Sequence, residues 1–204
     1  AGRSEEMSRA AKGRATTSQL RIIGGQWRGR KLAFTPAEGL RPTTDRVRET
    51  LFNWLAPEIH GARCLDLFAG SGALGLEALS RGAAHCDFVD TSASALRDIC
   101  AHLRALQAQD SARCHQAEAV QFLQRSPGPW DIVFIDPPFA RELVAPVCQW
   151  LEAAGRLAPN ALVYVETGRR ESLPDLPADW ELHREKRAGD VSYRLFIVRP
   201  CQNV

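Results

Sequence analysis

Cys64-Leu65-Asp66-Leu67-Phe68-Ala69-Gly70-Ser71-Gly72 reads as an apolar strand running into a glycine loop, with helix-forming residues directly after it. Glycines at such a junction let a ligand approach the backbone closely, and the amino end of the following helix favours negative charge. Outward from this stretch, apolar runs and amphipathic stretches alternate. Strands are expected near residues 63–68, 86–90, 112–117, 130–135 and 160–166, with helices over 72–81, 92–107, 118–125 and 141–154 between them. That alternation is the signature of a parallel sheet covered by helices on both faces. In the second helix Leu96, Ile99, Cys100, Leu103 and Leu106 recur at helical spacing, so it serves as a cover for the sheet. Two last runs, Trp180 to Arg187 and Val191 to Val198, flank Ala188-Gly189-Asp190 and make a closing hairpin.

Two ligand classes suit the glycine loop. Gly70, Gly72 and Gly75 satisfy the G-x-G-x-x-G spacing of a dinucleotide site, and Asp90 stands 20 residues beyond Gly70, as that fingerprint requires. Asp66 opposes this reading, because at its position the fingerprint has an apolar strand interior where an unpaired carboxylate is costly. S-adenosylmethionine gives Asp66 a partner, since its methionine end carries an ammonium and a sulfonium. Asp90 can then accept from the ribose hydroxyls in charge-assisted bonds, and Glu118-Ala119 lies where the adenine edge would be.

The run Trp130-Asp131-Ile132-Val133-Phe134-Ile135 is a buried strand that ends on Asp136-Pro137-Pro138-Phe139. Two prolines fix two φ angles and remove two donors, which leaves a rigid turn presenting acceptors. An exocyclic amine on a nucleobase needs acceptors. Its lone pair is delocalised into the ring until hydrogen bonds from its protons localise it, and Asp136 and the Pro137 carbonyl can take those bonds while Phe139 stacks on the base. In an open α/β sheet the first and fourth strands flank the switch-point crevice, which would make methyl donor and acceptor neighbours. A plain strand-to-helix turn with Phe139 in the core is the alternative reading.

Composition narrows the class further. The chain has 204 residues, 45% of them apolar and 25% charged, ordinary values for a single globular domain with appendages. No apolar run approaches the roughly 20 residues of a membrane span. The net charge of +2 hides an asymmetry: residues 1–48 hold eleven Lys and Arg against four acids, +7, which leaves −5 for the remainder. A basic arm on an acidic body suits a polyanionic partner. Residues 1–19 read as a disordered basic tail. Leu20 to Phe34 reads as two short strands around Gly24-Gly25, the second interleaving Arg28, Arg30 and Lys31 with Trp27 and Phe34, cations beside stacking rings. A helix then opens at Thr44 or Asp45 with Val47, Leu51, Trp54 and Leu55 on its apolar stripe and Arg46 and Arg48 off it. Cys64, Cys86, Cys100, Cys114, Cys148 and Cys201 show no C-x-x-C pairing, so reduced thiols and a cytoplasmic setting are expected, and no metal site. The five histidines have no motif around them and are expected to be structural.

Taken together, Asp66 to Gly72, Asp136 to Phe139, Arg21-Ile22-Ile23-Gly24-Gly25 with Arg28-Gly29-Arg30, and Arg41-Pro42-Thr43-Thr44-Asp45-Arg46-Val47-Arg48-Glu49 resemble the RsmD family over about residues 20–198. The resemblance implies a Rossmann-like class I S-adenosylmethionine-dependent methyltransferase, with a seven-stranded, mostly parallel sheet and a reversed last strand. It also implies a small N-terminal hairpin and helix, over 20–60, that hold RNA, ahead of a methyltransferase domain over 61–204. The activity it implies is methylation of guanine N2 in 16S ribosomal RNA, conventionally at position 966, by a monomer acting within a small-subunit particle. Site residues follow from it: Asp136, Pro137, Pro138 and Phe139 at the reacting amine; Asp66, Phe68, Ala69, Gly70, Ser71, Gly72, Asp90, Glu118, Ala119 and Thr43 at the donor; Arg21, Trp27, Arg28, Arg30, Lys31, Arg41 and Arg46 on RNA. Asp90 departs from a commoner glutamate and Glu118 from a commoner Asp or Asn; each remains an acceptor. The rival functions are an adenine-amine methyltransferase on DNA or RNA and a non-catalytic RNA-binding assembly factor.

Overall fold

The computed structural model describes residues 18–36, 43–138 and 142–199. Phe139, Arg41, Cys201 and the tail up to position 17 lie outside them. The chain opens with β1 (Ser18–Arg21), β2 (Lys31–Phe34) and α1 (Asp45–Leu55), then alternates through β3 (Arg63–Asp66), α2 (Ala73–Ser80), β4 (His85–Asp90), α3 (Ala93–Ala105), β5 (Ala112–Gln116) and α4 (Ala119–Arg125). It continues with β6 (Trp130–Ile135), α5 (Val144–Glu152), β7 (Leu157–Gly168), β8 (Trp180–Ala188) and β9 (Val191–Val198). The last seven strands form one sheet in the order β5-β4-β3-β6-β7-β9-β8, while β1 and β2 make a separate antiparallel pair. Strands β3 to β7 are parallel, and β9 runs against both of its neighbours.

Strand periodicity sorts the core into two layers. Along β6, Ile132 and Phe134 enter the cluster beneath α1, α2 and α3, while Val133 and Ile135 enter the one beneath α4 and α5. All four are fully buried, and each such side chain contributes about 1.5–3 kcal/mol of transfer free energy. Strand β3 stops at Asp66, two residues short of the expected end. There the chain turns out of the sheet, the Leu67 N–H donating to Phe134 O at 3.2 Å and the Ala69 N–H to Val89 O at 2.9 Å. Strand β7 extends beyond its expected 160–166 at both ends, because Trp130 of β6 pairs with Leu157 at its start and β9 pairs along it as far as Gly168 against Val191.

The N-terminal elements depart most from expectation. Thr44 caps α1 as expected, its hydroxyl accepting from the Val47 N–H, but Arg48 lies inside the packed face and is 1% exposed. It is tolerated there because both terminal nitrogens are partnered, donating to Arg21 O and to Asp45, each at 2.7 Å, and the guanidinium lies 3.7 Å from the buried Glu77 carboxylate; only Nε is without a hydrogen bond. The two short strands expected around the glycines pair antiparallel, Ser18 against Phe34 to Arg21 against Lys31. Residues 22–30 form a longer connection lying on the end of α2, with Ile23 N–H donating to Glu77 at 2.8 Å, Gln26 N–H to Ser80 O at 2.8 Å, and the Ser80 hydroxyl to Gly24 O at 2.7 Å. Gly25, at φ +79, sits so close to the Ser80 carbonyl that any side chain would collide with it. Helix α2 is therefore covered by the sheet on one side and the N-terminal elements on the other, and all eight of its residues are buried.

Candidate active site

The sheet order reverses between β3 and β6, and a cleft of about 810 Å³ opens at their carboxyl ends, where ligands bind in open α/β sheets. Asp66, Phe68, Ala69, Gly70, Ser71, Asp90, Glu118 and Ala119 line it together with Thr43, Asp136, Pro137 and Pro138. The donor residues and the amine residues expected from sequence thus share one cavity. Gly72 stands just behind the wall as the amino cap of α2. Its φ is +81, and a side chain there would come within 2.9 Å of Ile99, so the tight turn of the loop requires glycine.

Each strand-end carboxylate carries a local task as well. Asp90 Oδ2 accepts from the Gly70 N–H at 2.9 Å and Oδ1 from the Ser92 N–H at 2.8 Å, which pins the glycine loop and the start of α3 while each oxygen keeps further acceptor capacity. Asp66 is 2% exposed and accepts from the Gly75 N–H at 3.1 Å. Burial pushes its carboxyl up to about 7, the Gly75 bond opposing and the Asp90 charge adding to the rise, so a cation entering the cleft would favour its ionised form. Gly75, third glycine of the fingerprint spacing, faces Phe88 and Cys86, and a Cβ there would collide with the Phe88 ring. Its smallness serves helix-to-sheet packing.

Asp136 is brought to Thr43, whose hydroxyl donates to Oδ2 at 3.4 Å. Thr43, grouped by sequence with the donor residues, therefore stands beside Asp136, which was expected at the amine. Sequence reasoning missed Glu166, which lies next to Asp136 and is 9% exposed. Burial first, and then the neighbouring Glu166, push the Asp136 carboxyl well above the usual range. Burial likewise raises Glu166, against bonds from Tyr164, Asp136 and Thr43. A signal was present: Glu166 closes an apolar run in the way Asp66, Asp90 and Asp136 do.

Of the residues expected on RNA, Arg28, Arg30, Lys31 and Arg46 are exposed. Trp27 is half-buried against the core, and Arg21 is exposed but paired with Asp45 at 3.0 Å. His85 and His115 contact Asp87 at 3.2 and 2.9 Å, a sheet-edge cluster away from the cleft. Among the described residues no group of three or more His, Cys, Asp or Glu is placed to hold a metal ion, and no helix is long and apolar enough to cross a membrane.

The sheet order, the reversed β9 and the glycine loop facing a strand-end Asp-Pro-Pro across one cleft define a class I S-adenosylmethionine-dependent methyltransferase. The family model described as "Conserved hypothetical protein 95" matches residues 20–197. The chain belongs to this family, the RsmD family. It is 54% identical over 180 residues to "Ribosomal RNA small subunit methyltransferase D" of Escherichia coli, covering 88% of this chain and 90% of that protein. Identity to the Haemophilus influenzae protein of the same name is 45% over 181 residues, covering 87% and 93%. The solved structure of the Escherichia coli protein yhhF superposes with a TM-score of 0.83 at 51% identity, covering 89% of this chain and 99% of that one.

Donor binding by the cleft has a direct check. If Asp90 accepts from the ribose hydroxyls as expected from sequence, Asp90→Ala removes that acceptor together with the anchor of Gly70, and S-adenosylmethionine affinity measured by calorimetry should fall by about one to two decades. Unchanged affinity, or tight binding of a nicotinamide dinucleotide instead, would remove Asp90 from that role.

Proposed function

We propose that the protein transfers the methyl group of S-adenosylmethionine to the exocyclic N2 of a guanine in small-subunit ribosomal RNA, acting in the cytoplasm on a small-subunit particle. The observation that carries this reading is the meeting of Asp136-Pro137-Pro138 with the glycine loop across one cleft. The names of relatives at 54% and 45% identity support the RNA class. The donor fits what is present: glycines at the loop, a carboxylate with acceptor capacity at Asp90, and the buried Asp66 for a cation. When bound, it supplies an electrophilic methyl group on a sulfonium.

The chain's own groups do the rest by position. Asp136 and the Pro137 carbonyl accept from the two amine protons, which localises the nitrogen lone pair for in-line attack. The proline pair keeps those acceptors fixed. An exocyclic arylamine is a very weak acid, so its proton departs only as the new N–C bond forms, to Asp136 or to water.

RNA is held by residues 20–60 and the methyl donor by residues 61–204. Replacing Arg28, Arg30 and Lys31 together should weaken RNA binding and flatten its salt dependence, by about 0.7–0.9 log units of slope for each phosphate contact released. Donor affinity should stay constant. Unaltered RNA affinity and slope would make this connection purely structural. The substrate class is tested with radiolabelled donor and either 30S particles or total DNA: label should enter the RNA, and label in DNA alone would favour the adenine-amine reading.

A further inference from the structure

Glu166 is a second buried carboxylate in the cleft that the reaction derived above does not use. Register brings it there. Phe134 on β6 pairs with Tyr164 on β7 and Ile135 with Val165, so the next residues along these parallel strands are Asp136 and Glu166. Both line the cleft. The buried Tyr164 hydroxyl donates to Glu166 Oε2 at 3.0 Å, and Thr43 lies within hydrogen-bond reach of both carboxyls. Donors from the protein thus hold Glu166 as an acceptor beside the acceptor Asp136.

Nucleobase edges differ in what adjoins the amino group. On guanine the N2 amine sits next to a ring N–H, giving two adjacent donors; on adenine the amine sits next to a bare ring nitrogen with its lone pair. Two carboxylates side by side match the first edge, whereas the second sets a lone pair against Glu166. We propose that Glu166 accepts the ring N–H of the target base beside the amine held by Asp136, and so selects guanine over adenine. This rests on the guanine-N2 reading given above.

The probe is substrate RNA carrying 2-aminopurine at the target position, which keeps the amine but has a bare ring nitrogen next to it. Single-turnover rates are compared at one fixed pH for every protein and substrate. The wild type should favour guanine over 2-aminopurine by about five- to 150-fold, the discrimination expected of one paired contact to a base edge. Glu166→Gln, whose amide N–H can donate to the bare nitrogen, should slow guanine, speed 2-aminopurine and shrink the ratio by about tenfold. Tyr164→Phe, which withdraws the donor orienting Glu166, should shrink it in part, and serves should the Gln variant fail to fold. A ratio unchanged in these variants, with guanine N2 still methylated by the wild type, overturns the role of Glu166 alone. Wild-type label on an adenine amine overturns the guanine reading itself, and this proposal with it.

Discussion

Asp136→Ala should lower the single-turnover methyl-transfer rate by about a hundred- to a thousandfold, the cost of deleting one preorganised hydrogen-bonding group aimed at the reacting centre, roughly 2.7–4 kcal/mol. Donor affinity should barely move, because the glycine loop is anchored by Asp90 and not by Asp136. Loss of fold is not the expected cause, since Asp136 lies half-buried against Glu166 and its removal relieves the crowding of two carboxyls. Asn in its place, oxygen inward, keeps an acceptor and should retain intermediate activity. An obligatory general base would make Asn as inactive as Ala, because an amide cannot take the proton. Equal loss in both variants would therefore refute the acceptor role, and full activity in Ala would take Asp136 out of the active site.

Glu77→Ala should destabilise the fold by about 3–5 kcal/mol, because it leaves the buried Arg48 short of its counter-charge inside the core. Glu77 is fully buried, lies 3.7 Å from both Arg48 and Arg81, and accepts from the Ile23 and Gly24 N–H groups. Burial pushes the Arg48 guanidinium below its ordinary value, with Glu77 and then Asp45 opposing. At roughly 2–4 °C per kcal/mol for a chain of this size, the midpoint of thermal unfolding should drop by about 6–20 °C. Replacing both partners, Arg48→Met with Glu77→Met, should cost less than Glu77→Ala, because the fully buried Arg48 charge leaves with its counter-charge and only the partly exposed Arg81 loses a partner. A single-variant loss under about 1 kcal/mol, or a double variant less stable than the single, would contradict this account of how the N-terminal elements are held on α2.

Much of this architecture was legible because it is written in apolar spacing. The strand preceding Asp136, the stripe Leu96, Ile99 and Leu103 of α3, and the Gly189 turn before β9 all follow from local pattern. The strand-end carboxylates Asp66, Asp90 and Asp136 were legible for the same reason, each standing where an apolar run meets a turn. What escaped depends on contacts far apart in sequence. Arg48 reads as a solvated helix residue until Arg21 and Glu77 are brought to it. The strand pair around Gly24-Gly25 was legible, but its seat against Ser80 of α2 was not. Glu166 closes an apolar run as Asp66, Asp90 and Asp136 do, but its place beside Asp136 follows from the β6–β7 register, which no local pattern encodes.

The central claim is that Asp136 and its neighbours present acceptors to the amine of a guanine in small-subunit ribosomal RNA. The most direct test is to methylate 30S particles with labelled S-adenosylmethionine, digest the RNA to nucleosides and identify the labelled one by mass. N2-methylguanosine from the small-subunit RNA, strongly reduced with the Asp136→Ala protein, is the result predicted here; N6-methyladenosine, or RNA that takes up no label, would contradict it.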